Sequence, residues 1–340
     1  MRSERTPILP EPPTRSATAC GLAAGLATLL LGCQQRPDLM PRAEARPASY
    51  GSRPAVSGRL DLGADSDTQE LMAKWGAAFS RVHPHSELAS PSGSQPAVQA
   101  FLDGKLPMVV LGRKLKPQEI DVFRRRTGHL PQRVVVAQEP LAILVQAGNP
   151  LASLSLARLG AMFSAKPRPG LIEATGTWWD LGLAGDWADR RLTILAPREE
   201  SARCGAFKEQ VQLEGEIRES VRRYSDPQAM QDLLLAEPGG IAMGPMQGLS
   251  PRIKVVPLEI AGSPAPVFPT AVSIRAGQYP LVRFLYLYTS ANPGTQLPPA
   301  QAEFVRFCLS KEGQDLLPAL GLVPVPADVA KAGLSKMAPL

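Results

Sequence analysis

Short apolar runs and amphipathic segments alternate along most of this chain. Residues 68–82 place Leu71, Trp75 and Phe79 at helical spacing, and residues 107–111 form an unbroken apolar run. The pattern predicts further helices over 117–126, 202–213, 226–236 and 300–311, and further strands over 133–137, 141–146, 191–195, 253–257, 271–275 and 281–289. Such alternation predicts an α/β fold with mostly parallel sheets.

The N-terminal part departs from this pattern. Arginines precede the apolar segment 17–31, which ends in Gly32-Cys33 and is followed by a Pro- and Arg-rich stretch. A basic start, a short apolar region and small residues are typical of an export signal. The alternative, a buried N-terminal helix, is disfavoured by the Pro- and Arg-rich stretch. The Gly-Cys order resembles the bacterial lipoprotein signal, which implies a lipid on Cys33 and a cell-envelope location; Gln35 implies the outer membrane.

Composition narrows the functional class. The 340 residues carry 37 Lys+Arg and 31 Asp+Glu, a formal charge of +6, and 44% of them are hydrophobic. This is the composition of a globular protein of about two domains. The positive charge is spread along the chain without a long basic run, so nucleic-acid binding is not indicated.

Three turns that lead from predicted strands into predicted helices carry small hydroxyl residues. These turns are Ser66-Asp67-Thr68, Ser92-Gly93-Ser94 and the segment from Arg198 to Ser201. A helix start presents unpaired N–H groups and partial positive charge, which attract an anion. An arginine adds a guanidinium that can hold two oxygens of an oxyanion. Taken alone, each turn is explained more simply as a helix cap, with Ser66 or Asp67 capping the helix over 68–82.

Seven segments follow one another in an order that resembles the phosphate-binding-protein family, the solute receptors of phosphate ABC transporters. They lie at residues 63–75, 90–98, 111–119, 179–188, 279–288, 303–315 and 321–327. The resemblance implies a type II periplasmic-binding-protein fold with two lobes, two hinge crossings and the ligand between the lobes. It further implies a monomeric receptor that binds without catalysis, uses no cofactor and no metal, and delivers its ligand to an ABC permease.

The N-terminal pattern and the family resemblance together divide the chain into segments. Residues 1–32 are expected to be the lipoprotein signal and residues 33–57 a flexible tether. Lobe one is expected to take 58–143 plus 244–327, lobe two 144–243, and a C-terminal tail 328–340.

The resemblance also assigns roles within the turns. Ser66 sits where the first helix of the family supplies a hydroxyl, and Ser92-Gly93-Ser94 match the family's second turn. Arg198 matches the family arginine, and Ser201 matches the serine of a Ser-Gly-Thr motif. Together these residues predict a site for phosphate or a similar oxyanion.

The chain differs from the family pattern after Ser201. Ala202 and Arg203 stand where the family has glycine and threonine, and Arg113 follows a glycine where some members carry a buried aspartate. Arg113 and Arg203 are therefore added to the predicted ligand-binding residues, because they make the cleft more positive and suit it to a dianion or a larger anion. The altered motif leaves open a degenerate receptor that acts as a sensor or interaction lipoprotein. A phosphatase-like relative is a further alternative, although no histidine is marked as its base.

The remaining histidines and cysteines predict little chemistry. His83 and His85 have no acidic or cysteine partners nearby in the sequence, so they are expected to be surface residues at a helix end rather than metal ligands. Cys204 and Cys308 are expected to be free thiols.

Overall fold

The structure is a computed structural model that describes residues 46–51, 53–89, 96–166, 176–213 and 215–337. The predicted export signal, Cys33 and Gln35 lie outside the described residues, and so does the turn Ser92-Gly93-Ser94. Within the described ranges, no helix is both long enough and apolar enough to cross a membrane.

Strands and helices alternate along the described chain, as the hydrophobic pattern predicts. The strands are β1 (Gly58–Ala64), β2 (Ser86–Ala89), β3 (Met108–Leu111), β4 (Gln132–Pro140), β5 (Ala142–Gln146), β6 (Leu154–Ser155), β7 (Thr193–Pro197), β8 (Arg222–Tyr224), β9 (Gly240–Gly244), β10 (Ile253–Val256), β11 (Leu258–Glu259) and β12 (Val282–Thr289). The helices are α1 (Gln69–Val82), α2 (Ala97–Leu102), α3 (Pro117–Thr127), α4 (Leu156–Phe163), α5 (Ala202–Gln210), α6 (Pro227–Ala236), α7 (Ala271–Arg275), α8 (Pro299–Leu309), α9 (Lys311–Gln314) and α10 (Ala327–Met337).

Two five-stranded sheets form the centres of two lobes. The first has the strand order β2-β1-β3-β12-β4 and the second the order β10-β5-β9-β7-β8. In each sheet two neighbouring pairs are parallel and two are antiparallel. The expected two-lobed α/β fold is confirmed, but its sheets are mixed rather than mostly parallel. The antiparallel pairs all involve β12 or β5, the strands that begin where the chain enters each lobe.

The chain crosses between the sheets at two adjacent points. The first crossing joins β4 to β5 through Leu141, and the second enters β12 after Leu281. The backbone N–H of Leu141 donates to the carbonyl oxygen of Leu281 over 2.8 Å, which ties the crossings together. Paired crossings of this kind let two rigid lobes rotate about a narrow hinge.

The second lobe contains more of the chain than the sequence predicts. Strand β10 lies within the segment assigned to lobe one, yet it pairs with β5 at the edge of the second sheet. Val256, Leu258 and Tyr279 are buried in the core of that same lobe. We therefore propose that lobe two runs from about residue 142 to residue 281, and that the chain returns to lobe one at β12.

One predicted strand is a helix. Residues 271–275 form α7, whose N-cap is Thr270. The Thr270 hydroxyl accepts a hydrogen bond from the N–H of Ser273 over 3.1 Å, and the Ser273 hydroxyl accepts one from the N–H of Thr270 over 3.0 Å. This reciprocal capping stabilises a helical turn over a short apolar segment that the pattern alone assigns to a strand.

Apolar side chains from both faces of each sheet build the cores. Helix α1 contributes Leu71, Trp75 and Phe79 to the first lobe, as its periodicity predicts. Cys308 belongs to this core and Cys204 to the core of the second lobe; both thiols are buried and free, as expected.

Candidate functional site: an ion cluster where the lobes meet

The turn between β1 and α1 is tied to the end of β3 by the half-buried carboxylate of Asp65. Asp65 Oδ2 accepts the backbone N–H of Gly112 over 2.9 Å, and Asp65 Oδ1 accepts the Thr68 hydroxyl over 2.8 Å. Thr68 is the N-cap residue of α1 and its side chain makes no capping bond. The prediction that Ser66 or Asp67 caps this helix is therefore wrong. The turn instead projects its acidic side chains toward neighbouring segments.

Helix α5 carries an arginine from lobe two into the contact with lobe one. Its N-cap is Ser201, whose hydroxyl accepts the N–H of Cys204 over 3.1 Å. Arg203, in the first turn of α5, is buried, and its Nη1 donates to Asp67 Oδ1 of lobe one over 2.9 Å. An ion pair between side chains of the two lobes thus spans the cleft.

A second carboxylate and a second guanidinium come from the paired strands beside the hinge. Glu139 on β4 and Arg283 on β12 are register partners, and Arg283 Nε donates to Glu139. Arg203 donates to the same carboxylate from Nη2 over 2.9 Å and from Nε over 3.1 Å. Arg283 Nη1 then reaches Asp67 Oδ2 over 3.1 Å. We call Asp67, Glu139, Arg203 and Arg283 the cleft cluster.

The cleft cluster is electrically balanced and nearly dry. Glu139 and Arg283 each expose 2% of their side chains. Burial alone would raise the pKa of Glu139, but the charges of Arg283 and Arg203 outweigh it and lower this pKa to about 2. Burial would likewise lower the pKa of Arg203, and the charges of Glu139 and Asp67 raise it instead. Both shifts favour the ionised forms of Glu139 and Arg203. By formal charge the cluster pairs two guanidiniums with two carboxylates.

The nearby carboxyl of Asp65 has the opposite tendency. Burial raises its pKa, and the hydrogen bonds from Gly112 and Thr68 offset this only in part. Two aspartates of one turn therefore occupy different environments. Asp67 is paired with guanidiniums, whereas Asp65 accepts neutral donors.

Gly112 permits the close approach of lobe one to this cluster. A Cβ at this position would collide with the guanidinium of Arg283 and would lie 3.3 Å from Cβ of Ala202 in lobe two. Arg283 Nη1 also contacts the Gly112 carbonyl oxygen over 3.3 Å. A side chain here would displace the Arg283 guanidinium and crowd Ala202, so glycine lets the end of β3 approach α5 without disturbing the cleft cluster.

Three of the predicted ligand-binding residues lie at this contact. Arg203 is part of the cleft cluster, Ser201 caps the helix that carries it, and Ser66 is exposed in the turn next to Asp67. The structure thus brings the first and third predicted turns together. The second turn, at Ser92-Gly93-Ser94, lies outside the described residues.

The two other predicted arginines do not reach the cleft cluster. Arg113 donates from Nη1 and Nη2 to the two carboxylate oxygens of Glu119, each over 2.7 Å, and so is held at the start of α3. Arg198 is exposed, and among the described residues no ion pair or hydrogen bond involves its guanidinium. The Arg198 carbonyl oxygen accepts the N–H of Ser201, so its backbone shapes the turn before α5.

Sequence reasoning did not select Asp67, Glu139 or Arg283 as site residues. The sequence pattern predicts Asp67 as a helix cap, and Glu139 lies at a break between two apolar segments. Arg283 stands alone as a charge within the apolar strand β12. A single charged residue in such a strand requires a buried partner, and this feature could have indicated the site.

The histidines do not form a metal centre in the described chain. No group of three or more His, Cys, Asp or Glu side chains that could hold a metal ion occurs within the described ranges. The expectation of a surface residue is wrong for His83, which is fully buried. Its Nδ1 accepts the N–H of Val56 over 3.2 Å and its Nε2 contacts the Tyr50 hydroxyl over 2.6 Å, so it fastens the segment before β1 to α1.

Comparisons with known proteins agree with this architecture. The family model for the PBP superfamily domain matches residues 48–312. The phosphate-binding protein PstS of Pseudomonas aeruginosa is 30% identical over 289 residues, which cover 85% of this chain and 90% of that protein. These matches extend over both lobes and include every residue of the cleft cluster within the family model.

Solved structures of low sequence identity share the fold. A phosphate ABC transporter substrate-binding protein from Clostridium perfringens, solved with bound phosphate, has a TM-score of 0.62 at 18% identity, covering 79% of this chain and 100% of that chain. An ABC-type phosphate transport receptor from Vibrio cholerae has a TM-score of 0.61 at 17% identity, covering 78% and 100%. The chain therefore belongs to the PBP superfamily and, within it, to the family of phosphate ABC transporter substrate-binding proteins.

Proposed function

We propose that this protein captures an oxyanion, with phosphate as the first candidate, between its lobes and delivers it to an ABC permease. Two buried guanidiniums where the lobes meet carry the proposal. Arg203 lies in the first turn of α5, and Arg283 lies on β12. Guanidiniums bind oxyanions through two N–H groups at once, and a helix start adds partial positive charge. The name of the P. aeruginosa relative gives phosphate its priority.

The location and partners follow from the same proposal. The chain is exported and lipidated on Cys33, and the two lobes face the periplasm as a monomer, tethered by the segment between Cys33 and Tyr50. Gln35 favours the outer membrane. Mass spectrometry of the purified chain for a lipid on Cys33 tests the anchor, and its loss in Cys33→Ser is the control.

Calorimetry of phosphate binding tests the ligand. The full chain in detergent micelles is freed of bound anion by unfolding and refolding, then titrated with inorganic phosphate. We expect one site whose affinity falls at least about tenfold in Arg203→Gln, because a charge-assisted hydrogen bond to an oxyanion is lost. Arg59→Gln is the matched control, since Arg59 is exposed on β1 and pairs with Asp61. The absence of heat and of thermal stabilisation with phosphate would exclude phosphate as the ligand, and sulfate and organic phosphates would be titrated next.

The matching carboxylates in the cleft cluster favour a second candidate function. Asp67 and Glu139 already bind both guanidiniums, so a receptor that stays closed and acts as a sensor or interaction lipoprotein is the alternative. Growth on limiting phosphate separates the two functions. A deletion strain with normal phosphate uptake would favour the sensor.

The proposed receptor binds its oxyanion without catalysing a reaction. The purified chain is expected to release no product from a chromogenic phosphomonoester, measured against a phosphatase standard. Hydrolysis that persists in purified protein would favour the phosphatase alternative instead.

A further inference from the structure

Asp67 occupies the position between the two guanidiniums that an oxyanion would take. Its Oδ1 accepts Nη1 of Arg203 over 2.9 Å and its Oδ2 accepts Nη1 of Arg283 over 3.1 Å. One carboxylate thus bridges two arginines that come from α5 and β12. Any two of the four oxygens of a phosphate or sulfate ion are spaced much like the two oxygens of a carboxylate and also carry negative charge. They can therefore accept the same pair of hydrogen bonds from the two guanidiniums.

The cluster also contains a donor that this carboxylate leaves unused. Arg283 Nη2 is buried and has no hydrogen-bond partner among the described residues, although the side chain exposes only 2% of its surface. A buried charged donor without a partner is costly. It belongs to the same guanidinium that binds Asp67, so a ligand with more than two oxygens at this place could bind it as well.

A second carboxylate of the same turn binds another donor at the lobe contact. Asp65 Oδ2 accepts the N–H of Gly112, the residue that lies against both Arg283 and Ala202. In the first turn of α5 the N–H of Cys204 donates to the Ser201 hydroxyl, whereas the helix ladder provides no acceptor for the N–H groups of Ala202 and Arg203. The turn after β1 therefore places its own acidic groups beside donors suited to an anion.

We infer that Asp67 is an internal competitor of the ligand, and that an incoming tetrahedral oxyanion binds Arg203 and Arg283 by displacing its carboxylate. This inference rests on the proposed function, since it concerns the same cleft. The charge balance supports displacement. With Asp67 in place the cleft cluster is neutral, and an added anion would leave a buried excess of negative charge. With Asp67 withdrawn, Arg203, Arg283 and Glu139 carry one net positive charge, which a monoanion such as dihydrogen phosphate compensates in full.

The two carboxylates differ in how easily they can leave. Glu139 exposes 2% of its side chain and lies within the paired strands β4 and β12, bound by both arginines. Asp67 exposes 11% and lies in a turn next to the exposed Ser66. Moving Asp67 changes the conformation of one turn and brings a carboxylate that is already partly exposed into water. Moving Glu139 would instead disrupt the sheet beside the hinge. Asp67 is therefore the group that exchanges with the ligand.

Phosphate titration of matched variants tests the competition. The full chain in detergent micelles is stripped of bound anion, and inorganic phosphate is titrated into wild type, Asp67→Asn, Asp67→Glu and Asp61→Asn. We expect Asp67→Asn to bind phosphate roughly tenfold or more tightly than wild type, because the competing charge is gone. Asp67→Glu keeps the charge and should not show this gain. Asp61→Asn changes the net charge equally at a residue on β1 whose partner is Arg59, and should leave the affinity unchanged.

The outcomes separate this inference from the proposed function. Phosphate binding by wild type with no gain in Asp67→Asn overturns the competition and leaves phosphate capture standing. Binding by Asp67→Asn alone supports the competition and shows that the native chain is held closed against phosphate. If neither protein binds phosphate or sulfate, both proposals fail.

A measurement on wild type covers the case in which Asp67→Asn does not fold. A crystal structure of wild type grown with phosphate should place the anion within hydrogen-bond distance of Nη1 of both Arg203 and Arg283, with Asp67 turned away. An anion bound elsewhere while Asp67 still bridges the arginines would overturn the inference.

Discussion

Individual charged residues decide how the lobes meet. Glu139 is the most constrained of these residues, because it accepts hydrogen bonds from Arg203 and Arg283 while fully buried. The sequence shows it only as the polar residue before Pro140. Its importance depends on two arginines far away in sequence, which no local pattern brings to it.

The first prediction concerns acid stability. The pKa of Glu139 is about 2 in the folded chain, against roughly 4.3 for an unperturbed glutamate. Because the folded value is depressed, this carboxylate stabilises the fold above pH ~4.3, and the stabilisation is lost as the pH falls toward 2. We expect Glu139→Gln to be less stable by about 3–5 kcal/mol at neutral pH, since two buried guanidiniums lose a partner. The deficit relative to wild type should shrink by roughly 3 kcal/mol between pH 5 and pH 2.

Urea unfolding at a series of pH values measures this difference. Glu87→Gln is the matched control, because Glu87 is an exposed carboxylate of β2 whose partner Arg59 lies 4.0 Å away. Equal pH dependence in wild type and Glu139→Gln would contradict the assignment of the acid-sensitive charge to Glu139.

The second prediction concerns the close approach at Gly112. We expect Gly112→Ala to destabilise the protein by about 1–3 kcal/mol, because the new methyl group collides with Arg283 and crowds Ala202. Gly76→Ala in helix α1 is the control, since a Cβ there meets open space, and it should stabilise by up to ~1 kcal/mol. The measurement is the free energy of unfolding in urea. A neutral or stabilising Gly112→Ala would show that the lobes do not approach each other here.

Helices and strands form largely where local patterns predict them. Helices α1 and α6 each begin one residue after the predicted start. Asp226 is the N-cap of α6, and its carboxylate accepts the N–H groups of Gln228 and Ala229. One exception is α7, where five residues are too few to distinguish helical from strand periodicity. Another is α10, a helix packed into the core of lobe one where a C-terminal tail over 328–340 is expected. The capping bonds between Thr270 and Ser273 and the surrounding packing decide its conformation.

The third prediction tests that capping box. We expect Thr270→Ala to lower the free energy of unfolding by about 1 kcal/mol, because the N–H of Ser273 loses its acceptor. Val272→Ala is the control within the same helix, since Val272 is 71% exposed and alanine favours helix. The measurement is again unfolding in urea. A cost for Thr270→Ala no larger than that of Val272→Ala would argue against the helical turn.

In the molecule as a whole, two sheets are joined at paired crossings and linked again at the cleft cluster. Arg203 is the residue of lobe two that reaches Asp67 of lobe one and Glu139 beside the hinge. Buried ion pairs of this kind hold the two lobes in one relative orientation, because breaking a pair leaves an uncompensated buried charge. The arrangement joins the two lobes through side chains of the protein itself.

The fourth prediction concerns the separation of the lobes. We expect Arg203→Gln to increase the radius of gyration of the ligand-free protein in solution, because both pairs across the cleft are lost. Arg222→Gln is the control, since Arg222 pairs with Glu237 within lobe two. Small-angle X-ray scattering in the absence of phosphate provides the measurement. An unchanged radius in Arg203→Gln would mean that contacts other than the cleft cluster keep the lobes together.

The sequence by itself determined the α/β class, the positions of most helices and strands and, through the order of seven segments, the two-lobed fold. The α/β class and the element positions depend on hydrophobic periodicity and on short-range capping, which neighbouring residues specify. The two-lobed fold is what the resemblance to the phosphate-binding-protein family implies. Only the tertiary structure decided that β10 joins the second lobe and that Arg113 is bound by Glu119 rather than by the cleft. It alone brought Asp67, Glu139, Arg203 and Arg283 together. Long-range pairing of buried charges depends on how the whole chain packs, and no local pattern encodes which partner a charge will find.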